Sequence, residues 1–321
     1  MDCFASLAMT VMIGISATRL FAMRAEGEPT QFTFLTPVPI VIKHNYSGQE
    51  PIKPMGNAAF APPAAQSGLL KIEKSGAVLT VGLNRPAKRN ALNDGIILAI
   101  QDCFASLPDD TGAVVIHGIG DHFSSGLDLS ELTEQDATEG LRHSQMWHRV
   151  FDRIQYSRVP VIAALKGAVI GGGLELACAA HIRVAEPSAY FALPEGQRGI
   201  FVGGGGSVRL PRLIGVARMT DMMLTGRVYS ATEGAAYGFS QYLTEAAGAL
   251  PKALELAERV AANAPLTNFA VLQALPMIAE ANPQTGLLME SLMATVAQSD
   301  KEAKRRIRAF LDRKTAKVKP T

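Results

Sequence analysis

The stretch GAVIGGGLELACAAH, residues 167–181, limits the possible folds of this chain more than any other segment. From 174 to 180 every side chain but one is small or aliphatic, so the helix predicted there has no polar face to turn to water. Such a helix must be enclosed on all sides, which requires a layered core around it. The exception is Glu175. A buried carboxylate without partners costs several kcal/mol or takes up a proton, so the fold must either compensate Glu175 or use it.

Strand and helix signals alternate on both sides of this segment. LLKIEK and AVLTVGL, split by Ser75-Gly76, predict a β-hairpin. A helix follows over 91–106, a strand at 112–118, a helix near 139–157 and a strand at 161–165. After the helix at 172–180 come strands at 182–186 and 189–192, then mostly helix from 205. The alternation predicts an α/β core with a buried sheet. With 321 residues, 48% of them hydrophobic, the chain can build one large core or two smaller ones. The helices after about 245 are amphipathic, as expected of elements packing on that core or on another subunit.

Residues 1–66 lack this periodicity. The uncharged run 3–18 is 16 residues long, short of the roughly 20 that span a bilayer, and no basic residue precedes it as in a secretory signal. Seven prolines follow between 29 and 65. The organisation expected is an N-terminal extension over 1–66, an α/β core over 67–260 and a C-terminal helical region over 261–321. Neither export nor a membrane partner is expected. The three cysteines, Cys3, Cys103 and Cys178, have neither ligand spacing nor an even count and read as reduced thiols of a cytoplasmic protein.

The net charge of +2 conceals an asymmetry. Residues 301–321 carry +7, leaving −5 on the rest. A basic terminus suits nucleic acid, a membrane surface or a phosphorylated ligand. Ile307, Phe310 and Leu311 at helical spacing favour a docked helix over a free polybasic arm, so no nucleic-acid partner is expected.

Neither glycine cluster, 171–173 nor 203–206, is followed by Lys-Ser/Thr or forms G-x-G-x-x-G with a suitably placed acidic residue. A nucleotide P-loop is excluded and a dinucleotide site weakly supported. Glycines at a helix start instead let a backbone approach a ligand closely with N–H groups pointing outward, where they stabilise a negative oxygen. Three pieces are placed to converge: Glu175 one turn after Gly171 and Gly172, Pro194-Glu195 in the loop after the strand pair, and HFSSGLDL at 122–129 beyond the strand 112–118. On residue chemistry alone, a structural Glu175 and a surface Glu195 remain the alternative.

LNRPAKRNALN, HFSSGLDLSEL, VPVIAALKGAVIGGGLELACAAHIRVA, AYFALPEGQRGI and LTGRVYSATEGAAYGFSQYL stand in the order and spacing of the crotonase superfamily. The chain resembles its enoyl-CoA hydratases most, over roughly 68–314. The resemblance implies a crotonase-like α/β fold, a spiral of β-β-α units with a C-terminal helical trimerisation region, assembled as a homotrimer or homohexamer. It implies that Glu175 and Glu195 are the catalytic carboxylates and that the amides of Leu127 and Gly172 hold the thioester oxygen. Coenzyme A is then expected near Arg85, Lys88, Ser125 and Asp128. Phe310 and Arg313, with Lys314 as alternate, are expected to reach the coenzyme of a neighbouring subunit. The acyl-CoA thioester is the substrate and no permanently bound cofactor is implied. His117 and His122 flank the Leu127 loop without an acidic partner or ligand cluster, so no metal site is expected.

The chain departs from the common hydratase pattern at His181, where aspartate is usual, at Gly196-Gln197-Arg198, and at Val202-Gly203 in place of Pro-Gly. These changes leave both glutamates and bear on acyl preference. Met146, Trp147 and Phe151, on the helix that commonly walls the acyl pocket, read either as core or as bulk suited to an aromatic or cyclic acyl group. The alternatives to hydration are an isomerase or lyase of the same superfamily, or an acyl-CoA-binding protein without catalysis.

Overall fold

The computed structural model describes residues 68–131 and 136–312. The extension 1–66 and the tail residues Arg313 and Lys314 lie outside the described residues. The chain opens with the antiparallel hairpin β1 (Leu70–Ser75) and β2 (Val78–Leu83). Next come α1 (Asp94–Ala105), β3 (Ala113–Gly118), α2 (Ala137–Gln155), β4 (Val161–Leu165), β5 (Ala168–Ile170), α3 (Gly172–Ala179), β6 (Ile182–Ala185) and β7 (Tyr190–Ala192). The rest is α4 (Gly206–Ile214), α5 (Val216–Thr225), β8 (Tyr229–Ser230), α6 (Ala231–Tyr237), β9 (Tyr242–Leu243), α7 (Ala249–Ala261), α8 (Pro265–Glu280), α9 (Pro283–Ser299) and α10 (Lys301–Leu311).

Six strands form one sheet in the order β1-β2-β3-β4-β6-β9, parallel beyond the first hairpin, and β5-β7-β8 form a second. The central strands are buried on both faces, which explains their unbroken apolar runs. Side chains alternate between two cores. Val114, Ile116, Val161, Ala163 and Leu165 enter the main core, while Ala113, Val115, Ile162 and Ala164 meet Ala249, Ala253, Leu256 and Ala257 of α7 on the opposite face.

Helix starts follow the local capping chemistry. Asn93 accepts from Ile96 N–H and sets the start of α1 three residues beyond the predicted 91, because Leu92 is taken up in a bridge to Leu127. Asp136 and Glu139 form a reciprocal capping box at the start of α2. The strand β5 and the two-residue strands β8 and β9 are additions to the expected elements; two residues are too few to show a period. Cys103 and Cys178 are buried free thiols, pushed up by burial to about 12 and about 11, so neither is a nucleophile at neutral pH. Among the described residues no helix is long and apolar enough to cross a membrane.

Every residue of α3 is buried, as its composition requires. It lies beneath α4 and α2, directly after β5, and so carries Glu175 into the interior. At the far end of the chain, α8 and α9 leave Leu275, Leu287, Leu288 and Leu292 exposed, and α10 leaves Phe310 61% exposed.

Candidate active site

A cavity of about 440 Å³ is lined by Leu127, Gly172, Glu175, Glu195, part of α2 and residues 200–204. It gathers the three sequence pieces that were placed to converge.

The backbone sets its floor. Leu92 N–H donates to Gly126 O and Leu92 O accepts from Asp128 N–H, each at 2.8 Å. In such a parallel bridge one residue makes both bonds, so the N–H of Leu127 is turned to the other side. There it meets the start of α3: a Cβ built on Gly172 would lie 3.6 Å from Leu127 N and 2.8 Å from a ring carbon of Trp147. Gly171 has φ 52°, and a Cβ there would lie 2.7 Å from Glu195 Oε1. The glycine run thus brings two amides and a carboxylate to one spot, at a helix N-terminus that favours negative charge.

Glu175 is 4% exposed, and its Oε1 accepts from Gly204 N–H at 2.9 Å and Gly206 N–H at 2.7 Å. The second glycine cluster, read from sequence as a possible ligand loop, is therefore the cradle of the glutamate. Burial raises the Glu175 carboxyl above its usual range, and these amides and the Arg209 charge oppose that rise. Arg209, not anticipated from sequence, is itself buried. It donates to Gly204 O at 2.9 Å, Asp152 Oδ1 at 2.5 Å and Gln155 Oε1 at 2.5 Å. A lone arginine in a short helix carries no sequence signal, because its partners are more than 50 residues away in α2.

Glu195 is 7% exposed in the loop after β7, and its Oε2 is buried with no hydrogen-bond partner among the described residues. Burial first, and then the neighbouring Glu175 charge, push its carboxyl up to about 7. A consequence for stability follows. The raised carboxyl favours the fold when protonated, so its contribution is complete below the ordinary pKa near 4.5 and is lost as pH rises through about 7. Glu195→Gln is therefore expected to stabilise the protein at pH 8 relative to pH 5, by up to about 3 kcal/mol for a shift of this size. Denaturant titrations of both proteins at the two pH values test this; equal stability differences would refute it.

Beside this floor, Asp128 joins Arg85 (Nη2, 2.9 Å), Lys88 (Nζ, 3.0 Å) and the Ser130 hydroxyl (2.6 Å). These partners, Ser130 first, hold its carboxyl well below the usual range, so Asp128 is ionised. Arg85 is largely buried in that contact, whereas Lys88 is half exposed. Ser125 donates through its hydroxyl to Lys88 O at 3.3 Å. Arg85, Lys88, Ser125 and Asp128 thus form one cluster behind the Leu127 loop. Phe310 stands exposed on α10, and Arg313 lies outside the described residues.

The family model described as Enoyl-CoA hydratase/isomerase matches residues 73–320. The chain belongs to the enoyl-CoA hydratase/isomerase family. Its α/β core and C-terminal helices are the crotonase fold. The 2,3-dehydroadipyl-CoA hydratase of Escherichia coli (strain K12) is 34% identical over 78% of this chain and 98% of its own length. The short-chain-enoyl-CoA hydratase of Clostridium acetobutylicum is 31% identical over 76% and 94%. A crystal structure named as an enoyl-CoA hydratase from Rhodopseudomonas palustris CGA009 is 78% identical, with a TM-score of 0.76 over 81% of this chain and all of that one. That of the Bacillus anthracis enoyl-CoA hydratase is 29% identical, with a TM-score of 0.72 over 76% and 96%.

The positions that depart from the common hydratase pattern have local explanations. His181 Nδ1 accepts from Val161 N–H and its Nε2 bonds Gln155 O, both at 2.9 Å, tying α2 to β4. Gln197 turns away to Thr225 O at 3.1 Å, and the cavity wall continues instead with Ile200, Phe201 and Val202. Phe151 is fully buried, whereas Trp147 is both buried and part of the cavity wall. His122 Nδ1 accepts from Ala168 N–H at 3.0 Å and anchors the Leu127 loop to β5. No group of three His, Cys, Asp or Glu with metal-holding geometry occurs among the described residues.

Proposed function

We propose that this protein hydrates 2-enoyl-CoA thioesters. The observation that carries the reading is the facing of two buried glutamates, one cradled by amides and one with an unpartnered oxygen, across a floor of two backbone N–H groups. In the reaction a water oxygen bonds to C3, a proton is delivered to C2, and the thioester oxygen carries the negative charge of the enolate in between. The amides of Leu127 and Gly172 receive that oxygen, each donor being worth on the order of 3 kcal/mol in such sites. Glu175, fixed by Gly204 and Gly206, holds and polarises the water. Glu195, with a carboxyl near 7, delivers its proton to C2 and takes back the one released as the water O–H bond breaks, so that the carboxyl ends the cycle as it began.

The coenzyme belongs on the Arg85–Asp128–Lys88 cluster. Asp128 fixes the two cations, and the half-exposed Lys88 faces outward to phosphate. The exposed apolar side chains of α8 and α9 suit burial against further copies of the chain, in a trimer or a pair of trimers. Phe310 and Arg313 would then serve a neighbour's coenzyme, and a cytoplasmic location accords with the buried reduced thiols. Relatives named for short-chain and for dehydroadipyl thioesters leave the acyl group to this chain's own cavity.

Loss of the alkene absorbance of crotonyl-CoA, with solvent deuterium entering at C2, is the expected result. Double-bond migration with deuterium exchange and no hydrated product would instead mark an isomerase. Binding of the thioester without either change would mark a silent acyl-CoA binder.

A further inference from the structure

One polar group in the cavity wall has no part in adding water. On α2, Gly140, His143 and Trp147 succeed one another at helical spacing along the cavity. His143 Nε2 stands 2.8 Å from Oδ1 of Asp94, the first residue of α1. A carboxylate oxygen accepts, so Nε2 is the donor of this contact, and in the neutral form of the ring the lone pair lies on Nδ1. Nδ1 has no hydrogen-bond partner among the described residues. Ser144, the neighbouring polar residue, is already engaged, its hydroxyl donating to Gly203 O at 2.7 Å.

The rest of this wall is apolar and partly aromatic: Trp147, Ile200, Phe201 and Val202. A single oriented acceptor on such a wall complements a flat acyl group with a hydrogen-bond donor at its far end. A carboxylate-ended chain fits less well, because it would share the cavity with Glu175 and approach a ring already held by Asp94. Resting on the hydratase reading above, we propose that the Asp94–His143 pair makes this site selective for aryl 2-enoyl thioesters carrying a ring hydroxyl. Asp94 fixes the tautomer and His143 accepts the hydroxyl hydrogen.

The test compares kcat/KM for 4-hydroxycinnamoyl-CoA, 4-methoxycinnamoyl-CoA, cinnamoyl-CoA and 2,3-dehydroadipyl-CoA. The methoxy compound keeps the oxygen and removes the donor. A site built to pair a substrate hydroxyl rejects analogues lacking it, so the hydroxylated thioester should lead each of the others by about tenfold or more. In His143→Phe, which keeps a ring and loses the acceptor, the hydroxy-to-methoxy ratio should fall toward one. Asp94→Asn should reduce it partway, and serves if the His143 variant does not fold. Calorimetry with the saturated 3-(4-hydroxyphenyl)propanoyl-CoA and 3-phenylpropanoyl-CoA reads the same preference without turnover. Hydration of crotonyl-CoA with no hydroxyl preference, or with dehydroadipyl-CoA preferred, overturns this proposal and leaves the hydratase reading intact. A His143-dependent preference in binding, with no hydration of any thioester, supports the proposal and removes the hydratase reading.

Discussion

Glu195→Gln and Glu175→Gln should each lower kcat for crotonyl-CoA hydration by about 10²–10⁴-fold, the usual worth of positioned acid–base groups. The substitutions keep shape and remove basicity, so folding should survive. At position 175 the retained carbonyl oxygen can still accept from Gly204 and Gly206. At position 195 a neutral amide relieves the burial of a charge. Affinity for the coenzyme portion should change little, because the Arg85–Asp128–Lys88 cluster lies behind the Leu127 loop. The double variant should lose less than the product of the single losses, since both groups act on one water and one proton transfer. Steady-state kinetics of the three variants, with circular dichroism as the folding control, decide the matter. Full hydration by Glu195→Gln would remove it as the proton carrier.

Arg209→Met should damage the same chemistry without touching substrate. It removes the guanidinium that holds Gly204 O, and Gly204 and Gly206 supply the amides that hold Glu175. It also removes a positive charge that opposes the rise of the Glu175 carboxyl. Losing the charge raises that carboxyl further, so less of it is ionised at a given pH and the acid limb of the kcat/KM profile should move to higher pH. The stability loss should be about 2–3 kcal/mol, because a buried carbonyl is left without its donor. Activity near neutral pH should drop by at least about tenfold, as a misplaced catalytic group costs more than its own contacts. Arg209→Lys keeps the charge without the planar fork, so its acid limb should stay closer to wild type while kcat falls. A lower melting temperature with an unmoved acid limb would reduce Arg209 to a purely structural part.

The chain's own residues made much of this legible. The all-apolar surroundings of Glu175 required an enclosed helix, and α3 is buried at every residue. The unbroken apolar runs 113–116 and 161–165 required strands covered on both faces, and both have a core on each side. The ordered motifs pointed to the family to which the chain belongs. These are short-range signals, because burial and helical or strand period are written within a few neighbouring residues.

Other features depended on contacts between distant segments. That Gly204 and Gly206 cradle Glu175 rests on amides meeting a carboxylate about 30 residues away. That Arg209 holds the cradle depends on Asp152 and Gln155, and that His143 stands in the cavity wall paired with Asp94 depends on a contact between two helices. The floor of the cavity needs a loop held to Leu92 to meet a helix start. A carboxyl pushed up to about 7 likewise reflects how completely water is excluded around it, which is a property of the packed interior. By itself the sequence determined that the helix around Glu175 and the central strands had to be buried. Tertiary structure alone decided which amides, cations and rings they met there, because hydrogen bonds and local fields act across distances in space that no spacing along the chain records.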